Sequence, residues 1–151
     1  MNSSHKVFKI NKRFKPCPIE EGDELFPNGI FEFNVTKMQL FINENLHLFP
    51  LTQARVAEYS ALNINLDGGY IASEAVNIDR LVILAEIAPD RYNLIDGHHR
   101  LEKARKQRIE FVPAFKIAPE QHMVFLTTNA GYTAYVEYWN QKVKTIRRLF
   151  R

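Results

Sequence analysis

The run Leu81-Val82-Ile83-Leu84-Ala85-Glu86-Ile87 is the strongest strand signal in the chain. Pro89-Asp90 follows as a turn, and Arg91-Tyr92-Asn93-Leu94-Ile95-Asp96 reads as a second strand. So short a connection makes the pair an antiparallel hairpin. Gly97 ends the second strand. His98 to Gln107 is then helical, with Leu101 and Ala104 on its apolar side. Phe111 to Ile117 is a third strand, in which Pro113 implies an edge position or a strand start.

The flanks are read by the same signals. Lys6 to Ile10 alternates weakly and predicts a short strand. Pro16, Pro18, Gly22 and Pro27 punctuate the acidic stretch Glu20 to Glu24, which reads as a loop with a solvated charge cluster. After the turn signal Pro27-Asn28-Gly29, the residues Ile30, Phe31, Phe33 and Val35 look like a strand. From Thr36, an expected N-cap, the period becomes helical through Met38, Phe41, Ile42 and Leu46, and Pro50 closes the segment. Thr52 is expected to cap a second short helix through Val56 and Tyr59, and Asp67-Gly68-Gly69 is a turn. Pro119 opens a short helix to Leu126. Tyr132, Tyr135, Val136, Trp139, Val143, Ile146 and Phe150 form the stripe of a long last helix, with Lys142, Arg147 and Arg148 opposite.

Charge is placed unevenly. Residues 1–15 hold five Lys/Arg and no acid, and residues 142–151 hold five more and no acid. Residues 16–99 hold four Lys/Arg against 13 Asp/Glu, while six basic residues lie between Arg100 and Lys116. The formal net charge of +3 therefore hides a positive region that begins just after Gly97. With Cys17 alone there is no internal disulfide and no cysteine-rich zinc module. No apolar run approaches the roughly 20 residues of a membrane helix. Residues 1–16 lack the apolar core of a secretory signal. The expectation is a cytoplasmic protein.

Ile95-Asp96-Gly97-His98-His99-Arg100 is where chemistry concentrates. The first N–H groups of a helix lack internal partners, and the helix dipole favours negative charge there. Gly97 permits a sharp turn and a close approach by phosphate. His99 and Arg100 add side-chain donors, the latter in fork geometry. A solvated helix face explains the same charges equally well.

The pattern of strand, Asp96-Gly97-His98-His99-Arg100, helix and Val112-Pro113 strand resembles the ParB/sulfiredoxin superfamily. The resemblance is best over Leu94 to Pro113 and looser over about Val35 to Ile117. Sulfiredoxins carry a catalytic cysteine where this chain has His98, which removes sulfinic-acid reduction. Partition-type ParB proteins carry Gly-Glu-Arg-Arg, of which only Gly97 and Arg100 match. The Asp-Gly-x-His-Arg form of ParB-like free serine kinases matches at Asp96, Gly97, His99 and Arg100.

The resemblance implies one α/β (α+β) domain, a small mixed sheet with surrounding helices and a long C-terminal helix. Its divisions are an N-terminal arm (1–28), the ParB/sulfiredoxin-like domain (29–126) and the C-terminal amphipathic helix (127–151). It implies a nucleotide (ATP, ADP or CTP) with Mg2+, cradled by Gly97, His98, His99 and Arg100. Asp96 would hold the metal or polarise a histidine. Asp96, His99 and a catalytic base, for which Glu44 is the loosely matched counterpart, would serve a phosphotransferase or nucleotide hydrolase. Glu86 is a weaker candidate base. The alternative is a DNA- or protein-binding module using the basic termini, although no helix-turn-helix follows the core. The aromatic stripe of the last helix packs either into the core or into a homodimer. Adjacent His98 and His99 point about 100° apart on a helix and make poor joint zinc ligands. His5, His47 and His122 lack His-x-x-x-His spacing, and neither a Walker loop nor a Gly-x-Gly-x-x-Gly is present.

Overall fold

The computed structural model describes residues 5–59 and 81–150. Within them a four-stranded mixed sheet carries helices on both faces, beside a separate two-stranded hairpin and a long C-terminal helix. In chain order the elements are β1 (Leu25–Asn28), β2 (Phe31–Asn34), α1 (Val35–Glu44), β3 (Thr52–Arg55), α2 (Val56–Tyr59), β4 (Val82–Ala88) and β5 (Arg91–Asp96). Then come α3 (His98–Lys106), β6 (Phe111–Ile117), α4 (Pro119–His122) and α5 (Asn129–Leu149). Short 3-10 turns at Leu46–Leu48 and Met123–Phe125 follow α1 and α4. None of these helices is long and apolar enough to cross a membrane.

The large sheet has the order β3-β6-β4-β5. β4 and β5 pair antiparallel around the Pro89-Asp90 turn, with Asp90 at φ 60. β6 runs parallel to β4, after a crossover through α3. β4 lies between two partners and is buried along its whole length, so its side chains divide between two cores. Ile83, Ala85 and Ile87 join Phe33, Met38, Phe115, Tyr135 and Trp139 under α1 and α5. Val82 and Leu84 join Leu94, Leu101, Ala104 and Ala114 under α2 and α3.

Sequence and structure part company at several elements. The short helix through Val56 and Tyr59 is present as α2, but Thr52 does not cap it, because Thr52–Arg55 is a strand paired antiparallel with Phe111–Ala114 of β6. That pairing also moves Pro113 into an interior strand. The imino acid is tolerated because the β4 ladder begins one residue later, at Val82↔Ala114. The N-cap of α1 is Asn34, whose Oδ1 accepts from the Lys37 N–H at 3.0 Å. Thr36 instead uses its hydroxyl to accept from the Glu24 N–H at 2.8 Å. Leu25–Asn28 is a strand, paired in register with β2.

Lys6 to Ile10, expected as a strand, belongs to no sheet among the described residues. Side chains of α5 take its backbone groups. Trp139 Nε1 donates to the Lys6 carbonyl at 2.9 Å, and Asn140 bonds both the N–H and the carbonyl of Phe8. The α5 stripe is buried from Tyr132 to Val143, whereas Phe150 lies past the end of the helix and is exposed. The Asp67-Gly68-Gly69 turn lies outside the described residues.

Candidate functional site

The strand–glycine–helix junction is present as read. β5 ends at Asp96, Gly97 takes the left-handed conformation at φ 110, and α3 starts at His98. Only glycine fits here. A Cβ on Gly97 would lie 2.5 Å from Val82 Cγ1 at the start of β4. The same residue is the N-cap of α3 and supplies no side-chain cap. The first amides of α3 are therefore left to groups outside the helix.

Asp96 ties three elements together. Its Oδ2 accepts from Arg100 Nη2 on α3 at 2.8 Å and from Gln39 Nε2 on α1 at 2.6 Å. His98 stacks on Phe26 of β1, with centroids 5.4 Å apart. Burial is the main cause holding the His98 imidazole below its ordinary pKa, with Asp96 opposing it. His98 Nε2 and Arg100 Nε are buried without a hydrogen-bond partner. His99 is half-buried on the first turn of α3. Further along the basic segment, Arg105 pairs with Glu102 and Lys116 sits 4.9 Å over the Tyr92 ring.

A cleft of about 330 Å³ adjoins the junction through Asp96. Thr36, Gln39, Leu40, Ile42 and Asn43 of α1 form one wall, and Leu81, Ile83 and Phe115 form the other. The lining thus mixes hydroxyl and amide groups with apolar side chains. Such a cleft offers a small ligand apolar contact and a few hydrogen-bonding groups.

Of the residues singled out from sequence, Asp96, Gly97, His98, His99 and Arg100 are brought together. Glu44 is exposed at the end of α1 and is not among the residues lining the cleft. Glu86 is buried at the opposite end of the hairpin, where its carboxylate accepts from the Asp90 N–H at 2.8 Å. Gln39 and Asn43 are the contributors that sequence reasoning missed. Their signal was the polar row Thr36, Gln39, Asn43, spaced i, i+3, i+7 beside the buried row Val35, Met38, Ile42.

Magnesium is poorly served at this junction. Mg2+ binds through carboxylates together with ligand phosphates. Asp96 is the one carboxylate lining the cleft among the described residues, and a guanidinium already shares its Oδ2. Comparison of the chain with family models, with curated proteins and with solved structures gave no match.

Proposed function

We propose that the chain binds a phosphorylated small molecule of nucleoside phosphate type, in the manner the ParB/sulfiredoxin resemblance implies. The ring would occupy the cleft against Ile83 and Phe115, and the phosphate would meet the start of α3. The observation that carries this reading is Gly97. It is held at φ 110 against Val82 and opens a nine-residue helix with no side-chain cap. Backbone of this kind lets an anion approach the N-terminus of a helix. Arg100, the first cation of the positive segment, lies in the same turn, where its Nη2 pairs with Asp96 and its Nε has no acceptor among the described residues. The reading is one of binding. Glu44, the counterpart of the catalytic base that the resemblance implies, does not line the cleft.

The test is a melting-temperature screen with ATP, ADP, CTP and GTP, each with and without magnesium, and with inorganic phosphate. A nucleotide at a hundredfold excess over Kd stabilises by about 2.7 kcal/mol, which for a chain of this size is roughly 5–10 °C. Arg100→Ala should abolish the nucleotide-dependent shift. If no nucleotide moves the melting temperature, the proposal fails.

A further inference from the structure

A second polar cluster lies at the turn end of the β4–β5 hairpin, away from the glycine junction. His5 places Nε2 3.5 Å from Glu86 Oε2 and 3.7 Å from Asp90 Oδ1. One ligand atom from each residue lies within 4.8 Å of the other two. Both His5 separations are too long for hydrogen bonds. They are close to the edge of a tetrahedral zinc site, where ligand atoms about 2.0–2.1 Å from the metal sit about 3.3 Å apart.

Each donor is fixed by contacts that do not involve the other two side chains alone. The His5 carbonyl accepts from Arg147 Nη2 at 2.9 Å, and its ring meets Trp139 edge-on at 5.7 Å. Glu86 rises from a fully buried strand, and its own carbonyl is held by His122 and Tyr135. Asp90 is set by the left-handed turn. Charge points the same way. A neutral imidazole between two carboxylates leaves two negative charges uncompensated within the cluster, and a protonated one leaves one. Glu86 is only 7% exposed, and the Asp90 N–H that its Oε2 accepts at 2.8 Å offsets only part of the cost of burying its charge. A divalent cation balances both acids.

We propose that His5, Glu86 and Asp90 bind one divalent transition-metal ion. One nitrogen and two oxygen donors, with the imidazole 3.5 and 3.7 Å from the two carboxylates, suit zinc. Three protein ligands leave a fourth position, and the ion would enter past Asp90, whose side chain is 75% exposed. The ion would join residue 5 to residues 86 and 90, fastening the N-terminal arm to the hairpin by a coordinate link.

The experiment is calorimetric titration of zinc chloride into the untagged, metal-stripped full chain, followed by thermal melts. The expected result is one equivalent bound at micromolar affinity or tighter, with a raised melting temperature. His5→Ala and Asp90→Asn should each weaken binding by about tenfold or more. His47→Ala, an exposed histidine elsewhere, should leave binding unchanged. Absence of stoichiometric binding overturns the proposal, as does binding that survives both His5→Ala and Asp90→Asn.

Discussion

At the turn end of the β4–β5 hairpin the Glu86 carbonyl accepts from both Tyr135 Oη, at 2.8 Å, and His122 Nε2, at 2.7 Å. At the open end Asp96 holds Gln39 and Arg100 through one oxygen, while Arg100 Nε is buried without an acceptor. Both ends leave buried nitrogens unpartnered, but of different kinds. With Nε2–H of His122 aimed at a carbonyl, the His122 Nδ1 is a bare lone pair. Arg100 Nε always carries a proton. Leaving a buried donor unmet is the less tolerated of the two. The turn end is therefore a tie between sheet and helices, whereas the open end keeps a donor in reserve beside a cleft.

The contrast can be broken from either end. Trp139→Ala should give the largest effect, because it empties the core at the turn end and removes the donor to Lys6. A loss of about 3–5 kcal/mol is expected in urea unfolding. A loss below about 1 kcal/mol, within the range of ordinary surface changes, would mean that this end is not the anchor.

Next comes acid. Complete burial lowers the His122 pKa to about 4, against an ordinary value of 6.5. Between those values the unfolded chain binds a proton that the folded chain refuses. The His122 contribution is thus fully present above pH 6.5 and is lost as pH falls towards 4, to a total of about 3 kcal/mol. Unfolding free energies measured across that window should fall more steeply for the native chain than for His122→Phe. Equal slopes would show that His122 is not held neutral by the fold.

The smallest effect belongs to the open end. Gly97→Ala should cost about 1–3 kcal/mol, from a positive φ and the overlap with Val82. Combining it with Val82→Ala removes the 2.5 Å overlap with Cγ1 but leaves the Cβ of residue 82 at 2.9 Å, so only part of the steric share should return, a coupling that a double-mutant cycle reads directly. A Gly97→Ala chain as stable as the native one would remove the conformational basis for the junction.

The open end was legible because it is contiguous. A strand, a glycine and a helix start within Ile95–Arg100, and each signal is local. The α5 stripe was legible for the same reason, since Tyr132, Tyr135, Val136, Trp139 and Val143 follow one period and are all buried. What stayed hidden depended on distant partners. Thr52–Arg55 becomes a strand only because Phe111–Ala114 lies beside it. Lys6 and Phe8, expected in a strand, instead give their backbone groups to Trp139 and Asn140. The turn-end cluster joins residues 5, 86, 90, 122 and 135, which no spacing rule connects. In α1 the charged Glu44 drew attention, while the neutral Gln39 and Asn43 face the cleft.

The bonds from α5 to the arm also set an order of events. Trp139 and Asn140 are the partners of Lys6 and Phe8, at sequence separations of 133 and 132. Residues 6–8 are made before α5, yet they cannot be seated until α5 has emerged and packed. Closing so long a loop gains little until the rest of the sheet is in place. Until then the Trp139 indole N–H lacks the Lys6 carbonyl as its acceptor, so seating of the arm depends on α5 being in place.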